Sequence, residues 1–231
     1  MGKKILVLNG PSYASAVKGI GEVELDMTTF LQNPKAFQCV LFTGGADVSP
    51  DLYDDYSPKG VCATNPLRDK IEVSVFKTAK KHGIAMAGIC RGLQFLNVMA
   101  GGKLIHHLDG HAGQPHLMSI GIQEDPILVN SLHHQAAITT HEIHVIGWST
   151  KRLSKRYVGY MDRHLNYEDK EVEAIVVPKD NIFAVQYHPE MMKEDSSGWI
   201  FFNAGLLTFL ELGAEKFLKE FQQEKYHHAG G

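Results

Sequence analysis

Residues that could together transfer an acyl group stand at two distant points of the chain. Cys90 is the centre of the sequence Gly88-Ile-Cys-Arg-Gly92, a G-x-C-x-G pattern that matches the G-x-S-x-G nucleophile elbow with a thiol in place of the hydroxyl. His188 and Glu190 are separated by Pro189, so in extended chain their side chains project to the same side. A cysteine nucleophile requires such a base and its orienting carboxylate.

The elements around Cys90 must hold its sulfur at a turn. Residues 84–89 are a short apolar run typical of a buried parallel strand, and residues 93–99 have helical spacing of apolar side chains. A strand that turns at once into a helix strains the central residue and favours glycine on both sides. The helix beginning at Arg91 would direct free N–H groups at the sulfur and favour its thiolate. At this point a buried structural cysteine remains an alternative.

A second loop could supply backbone donors to the same chemistry. Residues 37–43 predict a strand, and Gly44 and Gly45 follow it directly. Glycines without side chains let backbone N–H groups approach an anion, so this loop is either an anion cradle or an ordinary tight turn.

The remaining pattern alternates strands and helices, which indicates an α/β fold. Strands are predicted at residues 4–8, 19–27, 127–129, 141–148, 172–177 and 182–186, and helices at residues 67–81, 199–212 and 215–226. The tail at residues 227–231 is expected to be mobile.

Length and composition limit the classes of function. With 231 residues and 44% hydrophobic content, we expect one domain spanning residues 1–231. A net charge of −3 argues against nucleic-acid binding, and no apolar run is long enough for a membrane span. The N-terminus lacks the features of a secretory signal, so we expect a cytoplasmic protein. Cys39, Cys62 and Cys90 fit neither a disulfide framework nor a Cys-x-x-Cys zinc site.

Two polar segments admit more than one interpretation. Residues 103–116 contain four histidines, but glycine and proline break the segment, so none forms an i, i+4 pair on a helix, and no cysteine accompanies them. We therefore expect a polar loop and no metal site there. Residues 149–170 are basic and carry three tyrosines, which predicts a solvated excursion or, as an alternative, a surface that binds a phosphate or nucleotide.

Several motifs taken together resemble those of a known family. They are Phe42-Thr-Gly-Gly-Ala-Asp-Val-Ser-Pro50, Arg68-Asp69, Gly88-Ile-Cys-Arg-Gly-Leu-Gln94, Asn97-Val98, Gly101-Gly102, Asn130-Ser-Leu-His-His-Gln135 and Val185-Gln-Tyr-His-Pro-Glu190. In this order the chain resembles class I glutamine amidotransferases over residues 40–190. Within that superfamily it is most similar to the γ-glutamyl-γ-aminobutyrate hydrolase branch.

The resemblance implies a fold and a set of site residues. The fold is a three-layer α/β/α sandwich with a mainly parallel, flavodoxin-like central sheet. The implied catalytic triad is Cys90, His188 and Glu190, with backbone N–H groups of Gly45 and Arg91 as the oxyanion hole. The implied substrate contacts are Gly44, Gln94, Ser131, His133, His134 and Gln135. No cofactor is implied.

The activity implied is hydrolysis of a γ-glutamyl amide through a thioester, with release of glutamate and an amine or ammonia from a small γ-glutamyl compound. The first alternative is a glutaminase subunit that delivers ammonia to a partner synthase, and the second is a non-catalytic binding protein. A homodimer is also compatible with the resemblance. The segment before Gly44 is shorter than is usual in the family, and residues 149–170 are longer and more basic, so the amine is less determined than the glutamyl half.

Overall fold

The computed structural model describes residues 4–121 and 125–219. Its strands are β1 (Lys4–Val7), β2 (Glu22–Glu24), β3 (Phe37–Phe42), β4 (Ala85–Ile89), β5 (Lys103–Ile105), β6 (His107–Leu108), β7 (His116–Ile120), β8 (Ile127–Val129), β9 (Ala136–Ile138), β10 (His144–Ser149), β11 (Tyr157–Gly159), β12 (Arg163–His164), β13 (Val172–Val177) and β14 (Ile182–Val185). Its helices are α1 (Met27–Gln32), α2 (Pro66–His82), α3 (Arg91–Met99) and α4 (Ser197–Leu212).

One mixed sheet of nine strands runs through the molecule, in the order β2-β1-β3-β4-β14-β13-β10-β7-β8. The strands from β2 to β14 are parallel, and those from β14 to β8 pair antiparallel. The parallel part has the flavodoxin-like 2-1-3-4-5 order when β14 is counted as its fifth strand. In such sheets ligands bind at the carboxyl ends of the strands, and β4 ends there immediately before Cys90.

Helices cover both faces of this sheet and bury its apolar side chains. Phe202, Leu206 and Phe209 of α4 pack in the hydrophobic core on one face. On the other face, side chains of α1, α2 and α3 form a second core with alternate residues of the same strands. The predicted three-layer α/β/α sandwich is thereby confirmed, with its parallel strands in one half of a mixed sheet.

Local signals set the ends of the helix that precedes β4. The side chain of Asn65 accepts a hydrogen bond from the N–H of Arg68, and Pro66 occupies the first helical position, where no N–H is needed. Gly83 ends the helix in the left-handed conformation, at φ 64°. The sequence predicted this helix within one residue at each end.

Two segments contain more structure than the sequence predicted. Residues 103–116, expected as a polar loop, hold β5, β6 and the start of β7. In residues 149–170, expected as a solvated excursion, β11 and β12 form a small sheet with β6. The physical reason is burial of Tyr157, whose hydroxyl donates to Glu171 at 2.8 Å. Lys155 and Arg156 immediately before Tyr157, with the other charged residues of the segment, make it resemble a solvent-exposed loop in the sequence.

The C-terminal part is described as far as residue 219. Helix α4 is confirmed and begins at Ser197, where Ser196 accepts a hydrogen bond from the N–H of Trp199. The helix predicted at residues 215–226 lies partly, and the tail at residues 227–231 wholly, outside the described residues. No helix within residues 4–121 or 125–219 is long and apolar enough to cross a membrane.

Candidate active site

Cys90 occupies a strained turn between β4 and α3. Its backbone has φ 54° and ψ −110°, which a residue with a Cβ atom adopts only at a cost of about 1–3 kcal/mol. The N–H of Cys90 donates to the carbonyl oxygen of Val185 at 2.9 Å, so the turn is attached to the end of β14. The first N–H groups of α3 have no partner within the helix and face the Cys90 end.

Glycines on both sides of Cys90 make this turn sterically possible. A Cβ atom on Gly88 would lie 2.7 Å from the carbonyl carbon of Gly92 and 2.8 Å from the nitrogen of Leu93. A Cβ atom on Gly92 would overlap the carbonyl group of Phe42 at the end of β3. Any larger residue would therefore move the helix away from the strands that surround the thiol.

His188 and Glu190 follow β14 and lie beside this turn. The Nδ1 atom of His188 is 2.6 Å from Oε1 of Glu190, and both side chains are largely buried. Pro189 begins a short 3₁₀ helix, Pro189–Met191, that turns the carboxylate toward the imidazole. A hydrogen bond to a carboxylate fixes the proton on Nδ1 and leaves Nε2 for the sulfur.

The electrostatic surroundings of His188 favour its protonated form. Burial alone would lower the pKa of His188, but hydrogen bonds to Cys90 and Glu190, together with their charges, raise it to about 10. An imidazolium hydrogen-bonded to a carboxylate and lying beside a cysteine sulfur is the arrangement that activates the cysteine for nucleophilic attack.

The Gly44-Gly45 loop lies against the ring of His188. A Cβ atom on Gly44 would lie 2.8 Å from Cε1 of His188, so the loop backbone contacts the imidazole ring. Arg68 donates to the carbonyl oxygens of Gly44, at 2.9 Å, and of Thr43, at 2.8 Å. Because the C=O and N–H of a trans peptide point in opposite directions, this bond turns the N–H of Gly45 away from Arg68.

Tyr13 is a member of the site that the sequence did not reveal. Its hydroxyl lies 2.6 Å from where a Cβ atom of Gly44 would be, and its ring centroid is 6.3 Å from that of His188. Burial and the neighbouring charges of Glu190 and Cys90 raise the pKa of Tyr13 to about 12, so it remains a neutral donor. The sequence feature that could have identified Tyr13 is its position shortly after β1, because the carboxyl end of β1 lies at the same sheet edge as Cys90.

A buried ionic network beneath the turn was also missed. The guanidinium of Arg91 is almost fully buried and bonds to Asp69 and Glu72 of α2. Glu72 also accepts from Nε of Arg68 at 2.7 Å, and Asp69 accepts from Ser49. The network thus joins the start of α3 to the side chain that holds the Gly44-Gly45 loop.

Gln94 lies one helical turn after Cys90 and is buried. Its Nε2 atom lies 3.2 Å from the carbonyl oxygen of Gln135 and 3.3 Å from Oε1 of Gln186. Gln94 therefore links α3 to the residues just before His188 and to the polar segment that follows β8.

The other predicted substrate contacts lie in that polar segment and bond to neighbouring loops. Ser131 donates to the carbonyl oxygen of His111 at 3.0 Å. His134 is 3.1 Å from Asp47, and this hydrogen bond raises the pKa of its imidazole.

Gln135 and His133 bond within the same part of the chain. Gln135 donates to the carbonyl oxygen of His106 and contacts the sulfur of Cys62. His133 is buried, and its Nδ1 is 2.8 Å from the carbonyl oxygen of Gln135. Their contact with substrate stays a prediction.

Solved structures and curated sequences give two independent comparisons. A glutamine amidotransferase from Thermotoga maritima aligns with 99% of this chain and 94% of its own, at a TM-score of 0.57 and 15% identity, which is a similarity of fold. The glutamine amidotransferase-like protein YvdE of Lactococcus lactis is 34% identical over 153 residues, 65% of each chain. A Mycobacterium tuberculosis protein named as a candidate glutamine amidotransferase is 30% identical over 175 residues.

The family assignment depends on a longer match. The chain spans 65% of the length of YvdE and 56% of that of the mycobacterial relative. Residues 23–190, which include Cys90, His188 and Glu190, match the family described as Peptidase C26. The chain therefore belongs to the Peptidase C26 family, within the class I glutamine amidotransferase superfamily.

Proposed function

We propose that this chain is a cysteine-dependent hydrolase of γ-glutamyl amide bonds that releases glutamate and an amine. The observation that carries the proposal is the position of His188, hydrogen-bonded to Glu190 at 2.6 Å and to Cys90 on its strained turn. Nucleophile, base and orienting carboxylate are thereby in contact in the order that acyl transfer requires.

In the first half of the reaction the sulfur of Cys90 attacks the γ-carbonyl carbon of the substrate. The tetrahedral intermediate collapses to a γ-glutamyl thioester when His188 protonates the leaving nitrogen. The raised pKa of His188 supports this role because the imidazolium is then present at neutral pH. Glu190 stabilises the cation and keeps its Nδ1 proton in place.

The negative oxygen of that intermediate is assigned to two backbone donors. The N–H of Arg91 follows the nucleophile at the start of α3, and the N–H of Gly45 faces away from Arg68. Each such donor typically lowers the barrier by about 3 kcal/mol. The hydroxyl of Tyr13, which lies against Gly44, is available as an additional donor.

In the second half of the reaction water attacks the thioester, with His188 now acting as base, and glutamate is released. Gln94, Ser131, His133, His134 and Gln135 are proposed to form the pocket for the glutamyl group. The resemblance to the γ-glutamyl-γ-aminobutyrate hydrolase branch supports the glutamyl half of the substrate. A second hypothesis concerns the amine half of the substrate: residues 149–170 bind a phosphorylated leaving group.

The test is turnover by the purified chain. We expect release of glutamate from a panel of γ-glutamyl amines, and an intact-mass increase of one glutamyl group on Cys90 during turnover. Cys90→Ser should abolish both signals, while a Cys62→Ser control keeps them. Undiminished glutamate release by Cys90→Ser would refute the mechanism. Charge reversal at Lys155 and Arg156 that leaves KM unchanged for phosphorylated γ-glutamyl amines would count against the basic segment as their binding surface.

A glutaminase subunit is the second candidate function. The chain is 29% identical over 150 residues to the small chain of carbamoyl phosphate synthase from Gracilaria tenuistipitata, a protein named as part of a synthase. If this candidate is correct, the isolated chain will be nearly inactive on all γ-glutamyl amines and will hydrolyse glutamine only with a partner. Ready turnover of a γ-glutamyl amine by the chain alone would exclude the requirement for a partner protein.

A further inference from the structure

A second group of chemically capable side chains lies apart from the triad. His111, His116 and Glu173 are all buried, and one donor atom from each lies within 4.8 Å of the others. His111 comes from the loop before β7, His116 from the start of β7 and Glu173 from β13. None of the three has a role in the proposed acyl transfer.

Comparison with a neighbouring glutamate shows how unusual the surroundings of Glu173 are. Glu171, two residues earlier on the same face, accepts from Ser149 Oγ, Tyr157 OH and the backbone N–H groups of Leu153 and Ser154. Oε1 of Glu173 instead lies 2.9 Å from Nε2 of His116 and 3.4 Å from Nε2 of His111. Its Oε2 has no hydrogen-bond partner in the described part of the chain. A fully buried carboxylate whose described side-chain partners are two imidazoles matches the His₂Glu ligand set of known zinc sites.

His111 strengthens this interpretation. Both its ring nitrogens are buried, and neither makes a hydrogen bond to any described residue. An unsatisfied buried polar group costs about 1–3 kcal/mol, so such a group in a native structure calls for a partner such as a bound ion or a water molecule. A cation would accept lone pairs from His111 and His116 together with the carboxylate of Glu173.

His133 packs beside His111. Its ring centroid is 4.3 Å from that of His111. Its Nδ1 lies 2.8 Å from the carbonyl oxygen of Gln135, and a carbonyl can only accept, so Nδ1 carries the proton. Nε2 is then a lone pair, and it too lacks a hydrogen-bond partner among the residues described. His133 therefore leaves an unprotonated ring nitrogen beside the group, outside the three donor atoms that lie within 4.8 Å of one another.

The donor set also indicates the kind of ion. Mg²⁺ and Ca²⁺ prefer oxygen ligands, whereas imidazole with one carboxylate suits Zn²⁺, Fe²⁺, Co²⁺ and Ni²⁺. A cavity of about 320 Å³ borders both His111 and His116 and provides a route for an ion. We propose that His111, His116 and Glu173 bind a first-row transition-metal dication. This departs from the sequence-based expectation of no metal site in residues 103–116.

The experiment uses the full chain in a Cys90→Ala background, so that the thiol of the triad cannot bind the probe. Chelator-treated protein is titrated with Co²⁺, followed by its visible d–d absorption, and with Zn²⁺ in competition. We expect one tightly bound ion per chain, and a Zn²⁺-dependent rise in Tm, because an ion that binds the folded chain stabilises it.

Variants decide whether the named residues are responsible. Glu173→Gln and His111→Leu should each weaken Co²⁺ binding by at least about 100-fold and abolish the Zn²⁺-dependent rise in Tm. His111→Leu removes the 3.4 Å contact with Glu173 but leaves the 2.9 Å bond between His116 and Glu173, so the metal-free variant should keep its fold with a small change in Tm. His164→Ala, which removes an exposed histidine, should bind like its parent. Equal binding by the parent and His111→Leu, or no binding by the parent, would overturn the proposal.

Discussion

Asn130 holds the backbone of His188 through a pair of hydrogen bonds. Nδ2 of Asn130 donates to the carbonyl oxygen of His188 at 2.8 Å, and the N–H of His188 donates to Oδ1 of Asn130 at 2.8 Å. The amide thus fixes the residue that carries the proposed base without touching its imidazole. Asn130 follows β8, at the antiparallel end of the sheet, so it links that end to the parallel strands around Cys90.

We predict that Asn130→Ala lowers kcat by about 10–100-fold with a small change in KM, because a slightly displaced base reacts poorly while substrate binding persists. Steady-state kinetics on the best γ-glutamyl amine would measure this. Asn203→Ala is the control: that amide also bonds to backbone carbonyls, of Ala16 and Lys18, but does not touch His188. Equal losses in both variants would show that the effect is one of general stability.

Removal of the carboxylate beside His188 should be more damaging. Gln at position 190 keeps the shape and an acceptor for the Nδ1 proton, but loses the charge that stabilises the imidazolium. In a protease triad the comparable change reduces kcat by about 10⁴-fold. We therefore expect Glu190→Gln to lower kcat by about 10²–10⁴-fold, measured under saturating substrate. An unchanged kcat would remove Glu190 from the mechanism.

The same variant should alter the pH dependence. The imidazolium of His188 must donate its proton, so kcat/KM should fall as pH rises through the pKa of about 10. Glu190 raises that pKa, and its replacement by Gln should therefore move the alkaline limb of the profile to lower pH, toward the ordinary histidine value of 6.5. Superimposable alkaline limbs for wild type and Glu190→Gln would contradict the assignment.

Gly45 offers a test of the second oxyanion donor. Its φ of +136° and the overlap that a Cβ atom would make with the guanidinium of Arg68 both require glycine. Gly45→Ala should displace the loop and lower kcat by about 10²–10³-fold, the typical effect of losing one such donor.

The control for Gly45→Ala is Gly19→Ala. Gly19 also has positive φ, at +80°, but no described atom lies within 4 Å of its Cβ position. This substitution should carry about 1–2 kcal/mol of backbone strain and leave kcat unchanged. If both variants lost kcat to a similar extent, backbone strain alone would explain the effect of Gly45→Ala.

The sequence predicted the parts of the fold that have strong local signals. Helix α2 has a capping Asn65 before Pro66 and a terminal Gly83, and its bounds were correct within one residue. Strand β13 was predicted at Val172–Val177, where the structure has it. Strand β11 was missed because it pairs with β6, which lies far away in the chain, and the two-residue β12 was missed because it pairs only with β11.

The site shows the same division between local and distant information. The glycine-flanked turn at Cys90 and the spacing of His188 and Glu190 can be read from short motifs. Asn130 was visible in a motif, but its two bonds to His188 span 58 residues. The side-chain partners of Arg91 are likewise about 20 residues earlier, on α2, and no periodicity in the sequence indicates them.

The buried network below Cys90 leads to a prediction about stability. Arg91 bonds to Asp69 and Glu72, and all three side chains are almost completely buried. Arg91→Met preserves much of the volume but removes the cation that pairs with Asp69 and leaves Glu72 paired with Arg68 alone. Breaking a buried ion pair by removal of one partner typically costs about 3–5 kcal/mol, which we expect as the loss in unfolding free energy from urea denaturation.

A surface pair provides the matched comparison for Arg91→Met. Lys18 and Glu194 are 2.8 Å apart, but more than half of each side chain is exposed. Because solvent screens such pairs, Lys18→Met should cost at most about 1 kcal/mol. If Arg91→Met proved as mild as Lys18→Met, Arg68, which also pairs with Glu72, would be sufficient to neutralise the buried carboxylates. A much larger loss in unfolding free energy for Arg91→Met, which we expect, would instead show that Arg91 attaches α2 to the turn that carries Cys90.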